Sequence, residues 1–274
     1  MSNRSILMLT NPSREEAKGA SDAIEKVLNA AGVDVYTPAD SEIPDVEIVL
    51  VLGGDGTILR GAEYSLKREI PLLGINLGHV GFMAEVDSFT FTGVAQSIIN
   101  KDYVLDERML LTFQVKRQNK VIDQGWALNE VSIERKSTTM LELFVQIDDR
   151  PLSRWGCDGI ICATPTGSTA YAFSAGGPVL WPEVQALVLL PIAAHALFAK
   201  PMVIAPSSTI GIAIESSDAS LSADALRKID LQKGDQIELT KNSHKVVLAH
   251  LKSTVFTDRL VAKFKLPIEG WRGE

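Results

Sequence analysis

The chain has 274 residues, 46% hydrophobic and 22% charged, enough for one large or two ordinary globular domains with a sizeable core. A net charge of −7 and a pI near 5.2 leave no broad basic surface for neutralising nucleic-acid phosphates, so no nucleic-acid partner is expected. The most apolar stretch, residues 184–199, is broken by Gln185, Pro191 and His195 and is shorter than the ~20 residues that span a bilayer. The N-terminus lacks the apolar run of a signal peptide, so the expectation is a soluble, cytoplasmic protein without a membrane partner.

In chain order, "SILMLT" reads as a strand, and Ser13 with Glu16 matches a capping box. Ala17, Ala20, Ile24, Val27, Leu28 and Ala31 then recur at helical spacing until Gly32. "VDVY", "EIVLVL" and "PLLGIN" are further strands. Strands alternating with helices predict a parallel α/β sheet over residues 1–106. From residue 107 to 252 short alternating segments, with turns at Asn119-Lys120 and Asp148-Asp149, predict a mostly all-β domain with one helix after "TPTGS". Residues 253–274 carry a mixed apolar pattern that this β half does not predict. Cys157 and Cys162, five positions apart, would face opposite sides of a strand, so buried free thiols are expected rather than a disulfide or a shared metal.

The apolar run "IVLVL" ends in Gly53-Gly54-Asp55-Gly56-Thr57, just before a helix-compatible segment. Glycines there allow unusual backbone angles and close ligand approach, and successive N–H groups at a helix start form a cradle for phosphate. The pattern is neither G-x-x-x-x-G-K-[ST] nor G-x-G-x-x-G. A carboxylate amid such amides would repel phosphate unless it served the chemistry, by accepting a hydroxyl proton or holding a divalent cation. Asp55 therefore points to phosphoryl transfer, and Arg60 stands where it could reach back to a phosphate or lie on the surface. Asn129-Glu130, in an alternating apolar strand, suits ribose hydroxyls or base edges. In "CDGIICATPTGSTAYAFSAGG", Asp158 precedes a buried strand, Ser168 or Thr169 can cap the following helix, and Thr169, Tyr171 and Ser174 place hydroxyls on its first turns.

Taken together, "LGGDGTILRGAE", "ALNEVSIE" and "CDGIICATPTGSTAYAFSAGGP" resemble the NAD kinase family, and the resemblance extends along essentially the whole chain. It implies a Rossmann-like N-terminal domain, a β-sandwich-like second domain, and a tail (253–274) returning to the first. It also implies transfer of the terminal phosphate of ATP, or of polyphosphate, to the 2′-hydroxyl of the adenosine ribose of NAD, giving NADP. By motif, Asp55 is the general base, Gly56 and Arg60 contact nucleotide phosphates, and Asn129 and Glu130 hold NAD. Asp158, Thr169, Ala170, Tyr171, Ala172, Phe173 and Ser174 line the same dinucleotide site, and Phe82 packs near the adenine or in an aromatic core. The family implies Mg²⁺ or another divalent cation with the triphosphate, although no residue is assigned as its ligand, and a homodimer or homotetramer. On this reading Asp55→Asn loses turnover with little change in stability. Where many relatives carry Cys-Asp-Gly, this chain has Ala223-Asp224-Ala225, which predicts a different local loop and no secure ligand role for Asp224. The alternatives are a lipid or sugar-phosphate kinase sharing the glycine–aspartate turn, and a non-catalytic NAD(P)-binding sensor.

Overall fold

The computed structural model describes residues 4–10, 15–77, 81–86, 90–216, 218–251 and 255–268. The chain forms two units, Met1–Glu107 with Val246–Glu274, and Arg108–Lys245. The first begins with β1 (Arg4–Thr10), α1 (Glu15–Ala30), β2 (Val33–Tyr36), β3 (Val49–Leu52), α2 (Asp55–Arg68), β4 (Leu72–Asn76), β5 (Glu85–Val86) and α3 (Phe91–Asn100). The strands are parallel in the order β2-β1-β3-β4-β5. Parallel neighbours require crossover connections, and here α1 links β1 to β2 on one face and α2 links β3 to β4 on the other. Met8, Leu50, Leu52 and Leu73 pack with Ile24 and Leu28 of α1 and Val94 and Ile98 of α3. On the other face α2 comes close enough that a Cβ on Gly61 would lie 2.6 Å from Val51 and 2.9 Å from Leu72. That approach fixes the start of α2 at the C-terminal end of β3.

The expected spacing in α1 is realised: Ala17, Ala20, Ile24 and Leu28 are buried, and Gly32 ends the segment at φ +75°. The Ser13 half of the capping box lies outside the described residues.

The second unit is entered along β6 (Val104–Arg117), followed by β7 (Lys120–Ala127), β8 (Glu130–Arg135), β9 (Leu141–Ile147), β10 (Arg150–Cys157) and β11 (Gly159–Ala163). After the one-turn helix α4 (Tyr171–Ser174) come β12 (Leu187–Ile192), β13 (Met202–Ile204), β14 (Ile210–Ile214), β15 (Ala219–Ala223), β16 (Arg227–Leu231) and β17 (Gln236–His250). One antiparallel sheet has the order β10-β9-β14-β17, with the β6–β7 hairpin on β17, and the other is β13-β12-β11-β8-β15-β16. Phe113, Val145, Trp155 and Ile212 of the first share one core with Val131, Ile133, Leu189 and Leu221 of the second, which makes a sandwich. Cys157 and Cys162 are both buried and free, but they sit on consecutive strands and enter this same core rather than facing apart. The end of β17 rejoins the first unit, pairing Leu248 and Ala249 with Leu72 and Leu73, and α5 (Phe256–Phe264) follows. No helix among the described residues is long and apolar enough to cross a membrane.

Three hairpins turn through two left-handed residues each: Gln118-Asn119, Asp148-Asp149 and Asp224-Ala225. The first lies one residue before the predicted Asn119-Lys120. At the third, alanine holds the left-handed position where glycine was expected to be necessary, with Ala225 at φ 56°. The left-handed region costs a non-glycine residue ~1–2 kcal/mol, against ~0.5–1 kcal/mol of extra chain entropy that glycine would lose. Ala225→Gly is therefore expected to stabilise the fold by about 0.5–1 kcal/mol, read as a higher urea midpoint at unchanged slope.

Candidate functional site

In the first unit, buried β3 delivers the chain to α2 through Gly53 and Gly54. Gly54 is the N-cap, and Asp55 is the first residue of the helix, where the unpaired N–H groups and the dipole favour a negative charge. None of Gly53, Gly54 and Gly56 has a left-handed φ, so the expected backbone freedom is not what these glycines supply. Their role is spatial. A Cβ on Gly53 would lie 2.6 Å from Thr57 Oγ1, whereas Gly54 and Gly56 face open space. Arg60 and Gly56 are exposed.

The Asp55 carboxylate is held at both oxygens. The Phe82 N–H donates to Oδ2 at 3.1 Å and the Met83 N–H to Oδ1 at 3.2 Å. Gly81 makes this possible, since a Cβ there would lie 2.5 Å from Oδ1. Each oxygen keeps a second lone-pair direction for another partner. The Phe82 ring packs against Phe256 and Phe264 with centroids 5.9 and 5.8 Å away, which places it in an aromatic core.

In the second unit the β15–β16 turn carries the residue whose role was discounted. Buried Asp224 accepts from three consecutive N–H groups: Leu128 at 2.8 Å, Asn129 at 2.7 Å and Glu130 at 3.3 Å. Its own N–H donates to the Glu130 carbonyl at 3.1 Å. Burial raises the Asp224 pKa, and the three N–H groups and Arg227 act against that rise. The turn following β11 closes on the same segment. The Thr164 hydroxyl donates to the Leu128 carbonyl at 2.5 Å, the Thr164 N–H donates to the Asn129 carbonyl at 2.8 Å, and Gly167 sits against the Asn129 backbone where no side chain fits.

Asn129 and Glu130 are both buried, each 8% exposed. Glu130 Oε2 has no hydrogen-bond partner among the described residues, although the Tyr171 N–H reaches the carboxyl group. Burial, then the Asp224 charge, pushes the Glu130 pKa up to about 8. At neutral pH Glu130 is thus mainly protonated and offers both a donor and an acceptor. The native state holds this proton from below pH 4.5 to about pH 8 while the unfolded chain releases it near 4.5. Stability from this group is therefore complete below pH 4.5 and lost as pH rises through 8, by at most about 5 kcal/mol at 1.36 kcal/mol per pKa unit. Glu130→Gln is expected to flatten the fall in stability between pH 5 and 8, as measured by urea unfolding across that range.

Tyr171 bridges along β8, its hydroxyl donating to Glu134 Oε2 at 3.1 Å. The helix after "TPTGS" is shorter than expected: a 3₁₀ turn, Thr166–Thr169, then four α residues with Ala170 as an N-cap that makes no side-chain bond. Ser168 is not a cap. It donates to the Pro165 carbonyl and accepts from the Leu180 N–H, while Thr169 donates to the Thr166 carbonyl. Tyr171, Phe173 and Ser174 are exposed, but the Ala172 side chain is in the core with Ile161 and Leu190, so only its backbone is open to a role in binding. Asp158 is also separated from the cluster. It pairs with Arg135 at 2.8 Å beyond Glu134, five strand positions or roughly 17 Å from Glu130. Asp224, Thr164, Gly167 and Gly81 were missed because each acts through a partner remote in sequence. The two-residue hairpin signal around Asp224 was the one local cue.

Both parts of this geometry fall within matches to known families. A model of the ATP-NAD kinase N-terminal domain matches residues 13–103, and one of the ATP-NAD kinase C-terminal domain matches 128–251. The NAD kinase of Mycobacterium tuberculosis is 42% identical over 304 residues, 99% of either chain, and that of Thermobifida fusca is 41% identical over 300, covering 99% of this chain and 92% of the relative. The chain belongs to the NAD kinase family. The NAD kinase of Mycobacterium leprae reaches 46% identity over 252 residues, 90% of this chain and 81% of the relative. Among solved structures, an Archaeoglobus fulgidus NAD kinase in complex with ATP matches with a TM-score of 0.75 at 28% identity, over 96% of this chain and 98% of that one. Yeast NADH kinase complexed with NADH shares the fold, with a TM-score of 0.87 at 23% identity over 99% and 90% of the two chains.

Proposed function

We propose that this NAD kinase phosphorylates the 2′-hydroxyl of the adenosine ribose of NAD, with Asp55 as general base. The hydroxyl proton passes to the carboxylate, the oxygen bonds to the terminal phosphorus of ATP or polyphosphate, and the bond from that phosphorus to its bridging oxygen breaks, releasing the shortened phosphate and NADP. The observation that carries this reading is the Asp55 carboxylate at the start of α2, oriented by the Phe82 and Met83 N–H groups and cleared by Gly81. The first-turn amides of α2, Gly56 and Arg60 act on the donor phosphates. Asn129 and Glu130 hold NAD, and the protonated Glu130 both donates to and accepts from a hydroxyl-bearing ligand. Thr169, Ala170, Tyr171, Phe173 and Ser174 line that site, with Ala172 taking part through its backbone and Asp158 through its effect on Arg135.

The donor set fits a divalent cation, Mg²⁺, held chiefly by the triphosphate. Among the described residues no three His, Cys, Asp or Glu side chains gather, and such a cation takes one or two carboxylates and the rest from phosphate and water. When bound, the cation would neutralise charge on the departing phosphate, while Asp55 acts as the proton acceptor rather than as its ligand. The working form is a cytoplasmic homodimer or homotetramer.

Incubation with NAD, Mg²⁺ and either ATP or polyphosphate tests the reading, with NADP expected as the product. Diacylglycerol and fructose 6-phosphate as acceptors test the related kinases, and NAD binding with no NADP formed would favour the sensor.

A further inference from the structure

Asp55 does not orient itself. Its two donors belong to adjacent peptides, and the second of these is gripped from its other side. The Met83 N–H on Asp55 Oδ1 and the Phe82 carbonyl are parts of one planar peptide unit. That carbonyl accepts from Arg259 Nη1 of α5 at 2.7 Å. In a trans peptide the C=O and N–H point in opposite directions, so the guanidinium and the carboxylate pull on the two ends of a rigid linker. A cation on the carbonyl also polarises the unit and strengthens the bond made by its N–H.

Arg259 is itself fixed. Its Nη2 lies 3.1 Å from His250 Nδ1, and His250 Nε2 lies 3.3 Å from Asp106 Oδ2. A guanidinium can only donate, so Nδ1 is the acceptor and His250 is the neutral tautomer whose Nε2–H donates to Asp106. The same helix holds Phe82 by its ring, since Phe256, Arg259 and Phe264 recur at helical spacing on the face turned to it. Arg259, 177 positions beyond Phe82 and in the same structural unit, thus anchors the segment that aims the carboxylate.

We infer that Arg259 is a positioning residue for phosphoryl transfer, acting through the Phe82–Met83 peptide on Asp55. The inference rests on Asp55 being the general base. Displacement of the carboxylate by about 1 Å can cost ~100-fold in rate without weakening substrate binding. Arg259→Gln, which keeps a side-chain amide donor for the Phe82 carbonyl, is expected to lower kcat by about 10-fold, and Arg259→Ala by about 100-fold. KM for NAD and ATP should stay within about twofold, since neither substrate touches the residue on this view.

Two further measurements separate aiming from mere structural support. Millimolar guanidinium should restore kcat to Arg259→Ala and leave the wild type and Asp55→Asn unchanged. In a double-mutant cycle, Arg259→Ala should change the residual kcat of Asp55→Asn by less than about twofold, because the carboxylate it aims is gone. If Arg259→Ala does not fold, Arg259→Gln carries the same cycle. Should a folded Arg259 variant keep wild-type kcat while Asp55→Asn is inactive, or should the two losses multiply, the inference fails and the base assignment stands. If Asp55→Asn itself turns over at the wild-type rate, the base assignment fails and the inference with it.

Discussion

Asp55→Asn is expected to lower kcat by about 100- to 10,000-fold, the usual contribution of a positioned proton acceptor, while KM for NAD changes by less than about threefold. A ribose hydroxyl is a weak nucleophile until its proton has somewhere to go, and the carboxamide has no comparable basicity. The structure revises the accompanying expectation of unchanged stability. Asp55 accepts one N–H on each oxygen, from Phe82 and from Met83. Asparagine can accept at only one of these, and its NH₂ then faces a second donor. A stability loss of about 1–3 kcal/mol is expected, measured by urea unfolding alongside the steady-state kinetics. The variant should therefore be assayed well below its unfolding midpoint, so that lost turnover is not lost fold. A folded, NAD-binding Asp55→Asn with near wild-type turnover would end the general-base assignment.

The sequence made legible those features that depend on near neighbours. Helical spacing in α1, the buried run of β3 and the alternation beyond residue 107 are local patterns, and the structure places helices and strands where they predict. The glycine–aspartate turn was legible as a site for the same reason, although its glycines serve space rather than backbone angle. What stayed hidden joins residues far apart. Asp224 is 94–96 positions from the amides that it binds, and Arg259 is 177 from the carbonyl that it grips. No periodicity reports such a pairing, because Asp224 or Arg259 alone reads as a surface charge and a backbone amide or carbonyl leaves no mark in the sequence. Phe82 could be assigned to a ligand or to a core, and only the position of α5 decides for the core. The Ala223-Asp224-Ala225 departure was read as a different local loop on the premise that the turn needs a left-handed glycine. The chain instead accepts a strained alanine, and the bonds around Asp224 make that tolerable.

Those bonds set the second large expectation. Asp224→Ala is expected to destabilise the second unit by about 3–5 kcal/mol, because it leaves three buried N–H donors at Leu128, Asn129 and Glu130 without their acceptor. The loss is more than energetic. Residues 128–130 carry the amide and carboxyl assigned to NAD, and their backbone is held by Asp224 from one side and by Thr164 and Gly167 from the other. Release of one side should raise KM for NAD by 10-fold or more while leaving the affinity for ATP alone, a split of about 1.4 kcal/mol that calorimetry resolves. Asp224→Asn gives a sharper version of the test. It keeps an acceptor oxygen for the Asn129 N–H but removes a negative charge from beside Glu130, a charge that helps to raise that pKa to about 8. The fall in stability with rising pH should then still begin near 4.5, where the unfolded chain releases the proton, but end at lower pH and be smaller than in the wild type. An Asp224→Asn protein whose pH–stability curve overlays the wild-type curve would show that burial alone protonates Glu130, and would limit Asp224 to holding the backbone.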